Sequence, residues 1–252
     1  MKKKTVLLIS LIMFVVAEII ILYYFKDRTF VNNNDTNIDK NSTLVKELYD
    51  MVNPSNDAIL LDELYKNKEL TSKYIVAMGI NNYLKYNKIK KFNNNDINGG
   101  YINESDVRDN IKYVLGNISY KNTDVYIMRD NYCMFKYNNE LSRYELVGGC
   151  DGSYTGYYRV IDSAYVNDNK LYIREKLIYY TYDFNEVINK VSIYDNPDMI
   201  NILDYRENRE ISSYDEINYL DNFIDKGSIY LYEFEKVDNN NNYIFKKITR
   251  LK

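Results

Sequence analysis

The chain has 252 residues, with 33 Lys and Arg against 36 Asp and Glu, 29 Tyr, and neither His nor Trp. Without His, the Ser-His-Asp triad, the Cys-His pair and every His-containing zinc site are excluded, and two cysteines are too few for a structural zinc site. A net charge of −3 is the wrong sign for a phosphate-binding surface, so no nucleic-acid partner is expected, and no motif asks for a cofactor.

Residues 5–25, TVLLISLIMFVVAEIIILYYF, hold one charged residue, Glu18, in a run of 21. As a helix rising about 1.5 Å per residue, the run covers the hydrocarbon core of a bilayer. Lys2, Lys3 and Lys4 precede it, whereas Lys26 and Arg28 beyond it are diluted by Asp27. The positive-inside bias therefore assigns residues 1–4 to the cytoplasm and the bulk of the chain to the outside. Tyr23 and Tyr24 fall at the level of the outer head groups, in agreement. The expectation is a single-pass anchor in the cell membrane, with the lipid bilayer as partner through 5–25. A cleaved secretory signal is the competing reading, cut after Val15, Val16 and Ala17. The apolar run passes that cut and continues to Leu22, longer than the roughly 7 to 15 residues of a signal's apolar region.

The stretch 26–42, KDRTFVNNNDTNIDKNS, is polar, Asn-rich and without periodicity, which reads as a stalk. A helical subdomain is expected over 43–116. Leu44, Leu48, Met51 and Val52 share one helical face before Pro54, and Leu60, Leu61, Leu64 and Tyr65 share the next. The segment 71–86 is apolar nearly all round from Tyr74 to Ile80, with Thr71 or Ser72 as cap, and is expected to be the central core helix. A fourth helix is expected over 103–115, with Gly116 as its C-cap. Just before it, Asp96, Asn98, Gly99, Gly100 and Asp106 resemble the calcium loop of EF-hands and, more closely, of dockerin repeats. A ligand position is missing between the two glycines and the last acid is Asp. The plainer reading is a glycine turn feeding an Asn-capped helix, and no metal site is assigned.

From 117 to 252 the period becomes strand-like. Strands are expected over 125–128, 132–137 and 143–147 with a turn at Asn138 and Asn139, then 157–166, 171–182 and 188–194, and last 229–236 and 243–251. Ser213 and Glu216 form a capping box for one helix over 213–226. The Gly-rich stretch 148–156 lacks the lysine of a phosphate loop and reads as a hairpin loop. Cys133 and Cys150 can form a disulfide outside the cytoplasm. A turn at Asn138 and Asn139 sets Cys133 opposite Tyr144, however, and a bridge then needs the glycine loop to fold back.

Helices first and strands after give an α+β fold, several helices packed on one mostly antiparallel sheet, the order found in cystatin-like cones. The anchor, the stalk, the helix ending Val114, Leu115, Gly116 and the closing hairpin with Tyr230, Tyr232 and Phe234 resemble single-pass membrane-anchored extracytoplasmic proteins of low-GC Gram-positive-type bacteria. That resemblance implies an extracytoplasmic location and no reaction. The favoured function is a non-catalytic domain that binds an envelope component or protein through tyrosines of the sheet, Tyr157, Tyr158, Tyr179, Tyr180 and Tyr182. The alternative is an envelope hydrolase with a carboxylate pair drawn from acids such as Asp151, Glu175 and Asp183. No residue is assigned a catalytic role.

Overall fold

The computed structural model describes residues 35–52, 58–67, 69–92, 99–129, 132–147, 155–184, 189–207, 219–238 and 242–252. The chain divides into two compact units, Met1–Thr36 and Asn37–Lys252. The expected anchor at 5–25 lies outside the described residues, and among those described no helix is long and apolar enough to cross a membrane.

The second unit is α+β, and the pairs formed among its strands from Gly100 onward are antiparallel among the described residues. After a short strand β1 (Thr36–Ile38) come three helices, α1 (Thr43–Val52), α2 (Ala58–Tyr65) and α3 (Ser72–Tyr86). Thr71 caps α3 by accepting the Tyr74 N–H, 3.1 Å, as the sequence predicts. Every residue of α3 from Tyr74 to Leu84 is buried, so it is the core helix. It crosses α4 (Glu104–Leu115) closely because position 79 is glycine: a Cβ there would lie 2.6 Å from Ile111 Cγ1 and 3.1 Å from the Val107 carbonyl. Gly116 ends α4 at φ +69°, a conformation that side-chain-bearing residues avoid.

The strands fall into two sheets, where the sequence leads one to expect a single one. The smaller has the order β2 (Gly100–Asn103), β5 (Arg143–Leu146), β4 (Tyr132–Asn138), β3 (Val125–Arg129). β2 is too short to show a strand period, and its four residues read in the sequence as the lead-in to a helix. The β4–β5 hairpin turns over 139–142 and pairs Tyr137 with Tyr144, not Cys133 with Tyr144. Asn138 ends the strand because its side-chain oxygen accepts the Leu141 N–H, 3.1 Å, and Ser142 returns the chain with φ +46°.

The larger sheet is organised on β7 (Lys170–Phe184), whose one edge pairs with β6 (Thr155–Asn167) from Lys170 to Thr181. Its other edge is shared. Residues 170–177 pair with β10 (Ser228–Lys236), which also carries β11 (Tyr243–Arg250), while 179–184 pair with β8 (Asn189–Tyr194), which carries β9 (Ile202–Glu207). At the fork the Ser228 N–H donates to the Asp195 carbonyl, 2.8 Å, and a Cβ on Gly227 would lie 2.1 Å from the Leu177 carbonyl. Only glycine lets the chain pass so close.

One large core joins the helices to both sheets, so the stretches 43–116 and 117–252 belong to one unit. The opposite face of β7 and β8 carries a small second core of Ile178, Val191, Ile193 and Leu220. Of the helix expected over 213–226, the described part is a helical turn at 219–221 and a 3-10 turn, Ile224–Lys226; Ser213 and Glu216 lie outside the described residues.

Candidate functional site

Glu175 has a fully buried side chain, and alternation along β7 points it at the large core together with Leu177 and Tyr179. A bare carboxylate there would be very costly, and its surroundings supply partners from four other elements. Tyr49 of α1 donates to Oε1. Tyr65 of α2 and Tyr232 of β10 donate to Oε2 at 2.8 and 2.6 Å, with their own hydroxyl oxygens 2.8 Å apart. Arg159 of β6 donates to the Tyr65 oxygen, 3.5 Å, and its Nη1 lies 4.0 Å from Glu175 Oε1. Burial pushes the Glu175 carboxyl above the ordinary carboxylate range, although Arg159 and the three hydroxyls pull the other way. Burial, and then the charge of Glu175, push the tyrosines Tyr49, Tyr65 and Tyr232 well up, so their protons stay on as donors. Arg159 loses hydration, but the surrounding tyrosines and Glu175 hold its proton more firmly still. The centre ties α1 and α2 to three strands, and its enclosure leaves a substrate no approach to the acid.

The tyrosines expected to form an exposed patch do not form one. Tyr157 and Tyr179 are buried under α2: Tyr157 donates to Asp62, and its ring lies 5.2 Å from that of Tyr65 and 5.0 Å from that of Tyr179. Tyr158 and Tyr180, half-buried, pack on the small core on the other face. Tyr157 and Tyr158 alternate across the sheet, as do Tyr179 and Tyr180, so one surface cannot carry them all. The side chain of Tyr182 lies outside the described residues, as do those of Asp183 and Cys133 and the whole of Asp96, Asn98, Cys150 and Asp151. The third residue of the calcium candidate, Asp106, is engaged by Lys90 Nζ at 2.6 Å and Asn103 Nδ2 at 3.2 Å, and among the described residues no group of three acids or thiols is placed to hold a metal ion.

Apolar exposure is concentrated instead at the turn between β8 and β9. Met199, Ile200, Ile202 and Tyr205 are 47%, 76%, 60% and 46% exposed, and no other stretch of seven residues among those described carries more than two exposed large hydrophobic side chains. The turn is held from below by polar groups. The Asp195 carboxylate accepts from Asn196 Nδ2 (2.6 Å) and Asn201 Nδ2 (2.9 Å), and the Asn196 side-chain oxygen accepts the Asp198 N–H (2.8 Å). The Met199 N–H donates to the Asn196 carbonyl (3.2 Å), and Arg250 grips Asp198 (2.6 Å). Within this frame Met199 takes φ +56°, a left-handed conformation that a non-glycine residue adopts only when its surroundings impose it. The network fixes the backbone of the turn in a path that places two large apolar side chains in water.

β9 continues from this turn. Tyr219 donates to Asp204, the Arg206 guanidinium lies 3.7 Å from the centre of the Tyr219 ring, and Arg206 Nε is 3.3 Å from Asp204 Oδ2. Burial works against the charge of Asp204, but the Tyr219 hydroxyl and Arg206 hold its carboxyl below the ordinary range. Sequence reasoning missed this region because Ile202 to Glu207 mixes apolar and charged residues without a clean alternation. The usable signal was Asn196-Pro197-Asp198, a turn former between two runs rich in Ile and Tyr. Comparison with protein-family models, with curated proteins and with solved structures found no match for the chain.

Proposed function

We propose that this protein is a membrane-anchored extracytoplasmic interaction domain, without catalytic activity, that binds a protein partner through the β8–β9 turn and strand β9. The observation that carries the binding is the pinned apolar turn. Exposing Met199 and Ile200 leaves apolar surface in water at about 25 cal/mol per Å², and a polar network that enforces this exposure is what a preorganised contact surface needs. The anchoring is supported by the run 5–25 with its single charge and by the lysines before it. In this reading the body keeps the cystatin-like order of helices before sheet and the anchored design of the low-GC Gram-positive-type proteins that it resembles, and no activity is taken from either. The enclosure of Glu175 favours this reading over a hydrolase, whose acid must meet its substrate.

Trypsin added to intact protoplasts that express the full chain tests the topology. The expected result is loss of the body with an apolar fragment left in the membrane. A body untouched until the membrane is lysed, or a chain released into the medium, would contradict it.

A further inference from the structure

The exposed turn leads straight into an open sheet edge. Among the described residues β9 pairs only with β8, so its outer side is a row of backbone donors and acceptors. We propose that the occupant of this edge is β9 of a second copy of the chain, paired antiparallel about a two-fold axis through Tyr205. The inference rests on the reading of the β8–β9 region as the contact surface and names its partner.

Charge selects that register. In an isologous antiparallel pair, a residue one step before the axis faces the residue one step after it. With the axis on Tyr205, Asp204 faces Arg206 of the second copy, and the same attractive pair recurs on the other side. Centring on Asp204 sets that acid against itself. Centring on Arg206 sets two guanidinium groups together. A two-fold antiparallel pair sets one residue opposite its own copy, so the registers centred on 204–206 are three, and of them only that on Tyr205 is attractive, since like charges directly opposite are unfavourable.

The groups are also set in place beforehand. Asp204 and Arg206 lie on one face of β9, fixed against each other and against Tyr219. The second copy extends that pair into an alternating row of four charges. Ile202 and the Met199–Ile200 turn flank the end of the new ladder, so the exposed apolar side chains border the backbone pairing without interrupting it. Two chains anchored in one membrane meet at a high effective concentration, which lets a ladder of about five residues suffice.

The test uses the full chain in detergent micelles, with Cys133 and Cys150 replaced by Ser. In the Tyr205→Cys variant the two axis residues have Cα atoms about 4.5 to 5.5 Å apart, within the range a disulfide spans. Mild oxidation is expected to double the mass on non-reducing electrophoresis. Leu203→Cys and Glu207→Cys, which face each other and not themselves, are expected to give at least tenfold less of that product. Asp204→Arg and Arg206→Asp are each expected to abolish the doubled mass in light scattering, and the combined reversal is expected to restore it. A Tyr205→Cys chain that stays single, or a folded double reversal that does not regain the doubled mass, overturns the proposal. Should the unmodified chain scatter as a monomer while Ile200→Asp still abolishes capture of another envelope protein, the second copy is the wrong partner and the contact surface stands. Should Ile200→Asp change neither association nor capture, both fail.

Discussion

Two hydrogen-bonded networks in this molecule treat water in opposite ways. Around Glu175, three tyrosine hydroxyls and Arg159 turn inward, so that a charge is shut away and five elements are tied together. Around Asp195 and Asn196, the polar groups lie beneath the chain and hold Met199 and Ile200 out in solvent. An acid in a sealed core invites a catalytic interpretation, and exposed apolar side chains invite none. Access separates them: the first network is closed to water and the second leaves apolar side chains in it.

The largest effect is expected at the sealed centre. Arg159→Leu leaves Glu175 without a counter-charge and is expected to cost about 3 to 5 kcal/mol, a fall in Tm on the order of 10 °C by circular dichroism. The double variant Arg159→Leu with Glu175→Leu should lose less than the sum of the two single variants, because no charge is then stranded. Strict additivity would show that the two groups do not act together.

Gly227→Ala comes next. Its Cβ would meet the Leu177 carbonyl at 2.1 Å, and the backbone must shift where the sheet forks, at a cost of about 1 to 3 kcal/mol in chemical denaturation. Unchanged stability would mean that the fork is loosely held.

A smaller effect sharpens the electrostatics. Glu175 has a folded value above its unfolded one, so in the window between them the folded chain binds a proton that the unfolded chain does not. Stability therefore falls as pH rises from the ordinary glutamate value through the raised folded value, and Glu175→Gln should flatten that slope. Glu233 has the opposite sign. Burial alone would raise it, but Lys170 at 2.7 Å and Lys247 at 3.3 Å hold it below the ordinary range. Its contribution is present above the ordinary value and is lost as pH falls toward the lowered one, a loss that Glu233→Gln should remove. Denaturation midpoints across pH 3 to 8 would separate the two.

The smallest change in stability is expected at the turn. Ile200→Asp should alter stability by no more than about 0.5 kcal/mol and yet abolish association. A marked fall in Tm would show that Ile200 packs in the fold.

Much of the architecture was legible in the sequence because periodicity reports burial. The buried run of α3, the Thr71 cap, Gly116 after α4 and the long β6–β7 hairpin all follow from the spacing of apolar, capping and turn residues. Partners were not legible. Period two sets Tyr157 and Tyr158, or Tyr179 and Tyr180, on opposite faces, but it does not say that Tyr157 pairs with Tyr179 or that α2 covers the face they share. The Glu175 centre hydrogen-bonds residues up to 167 positions apart in sequence, which no local pattern encodes. The turn at Asn196 was visible as turn chemistry, but its use in presenting Met199 depends on Asp195, Asn201 and Arg250 converging in space.

The contrast between the sealed centre and the open edge is tested most directly by hydrogen exchange of the full chain in micelles over a range of concentration. Those amides among residues 203–207 that point away from β8 are expected to become protected as concentration rises, while those of β7 around Glu175 are protected throughout. Exchange in β9 that is the same at every concentration, or β7 amides that exchange as fast as those of β9, would contradict it.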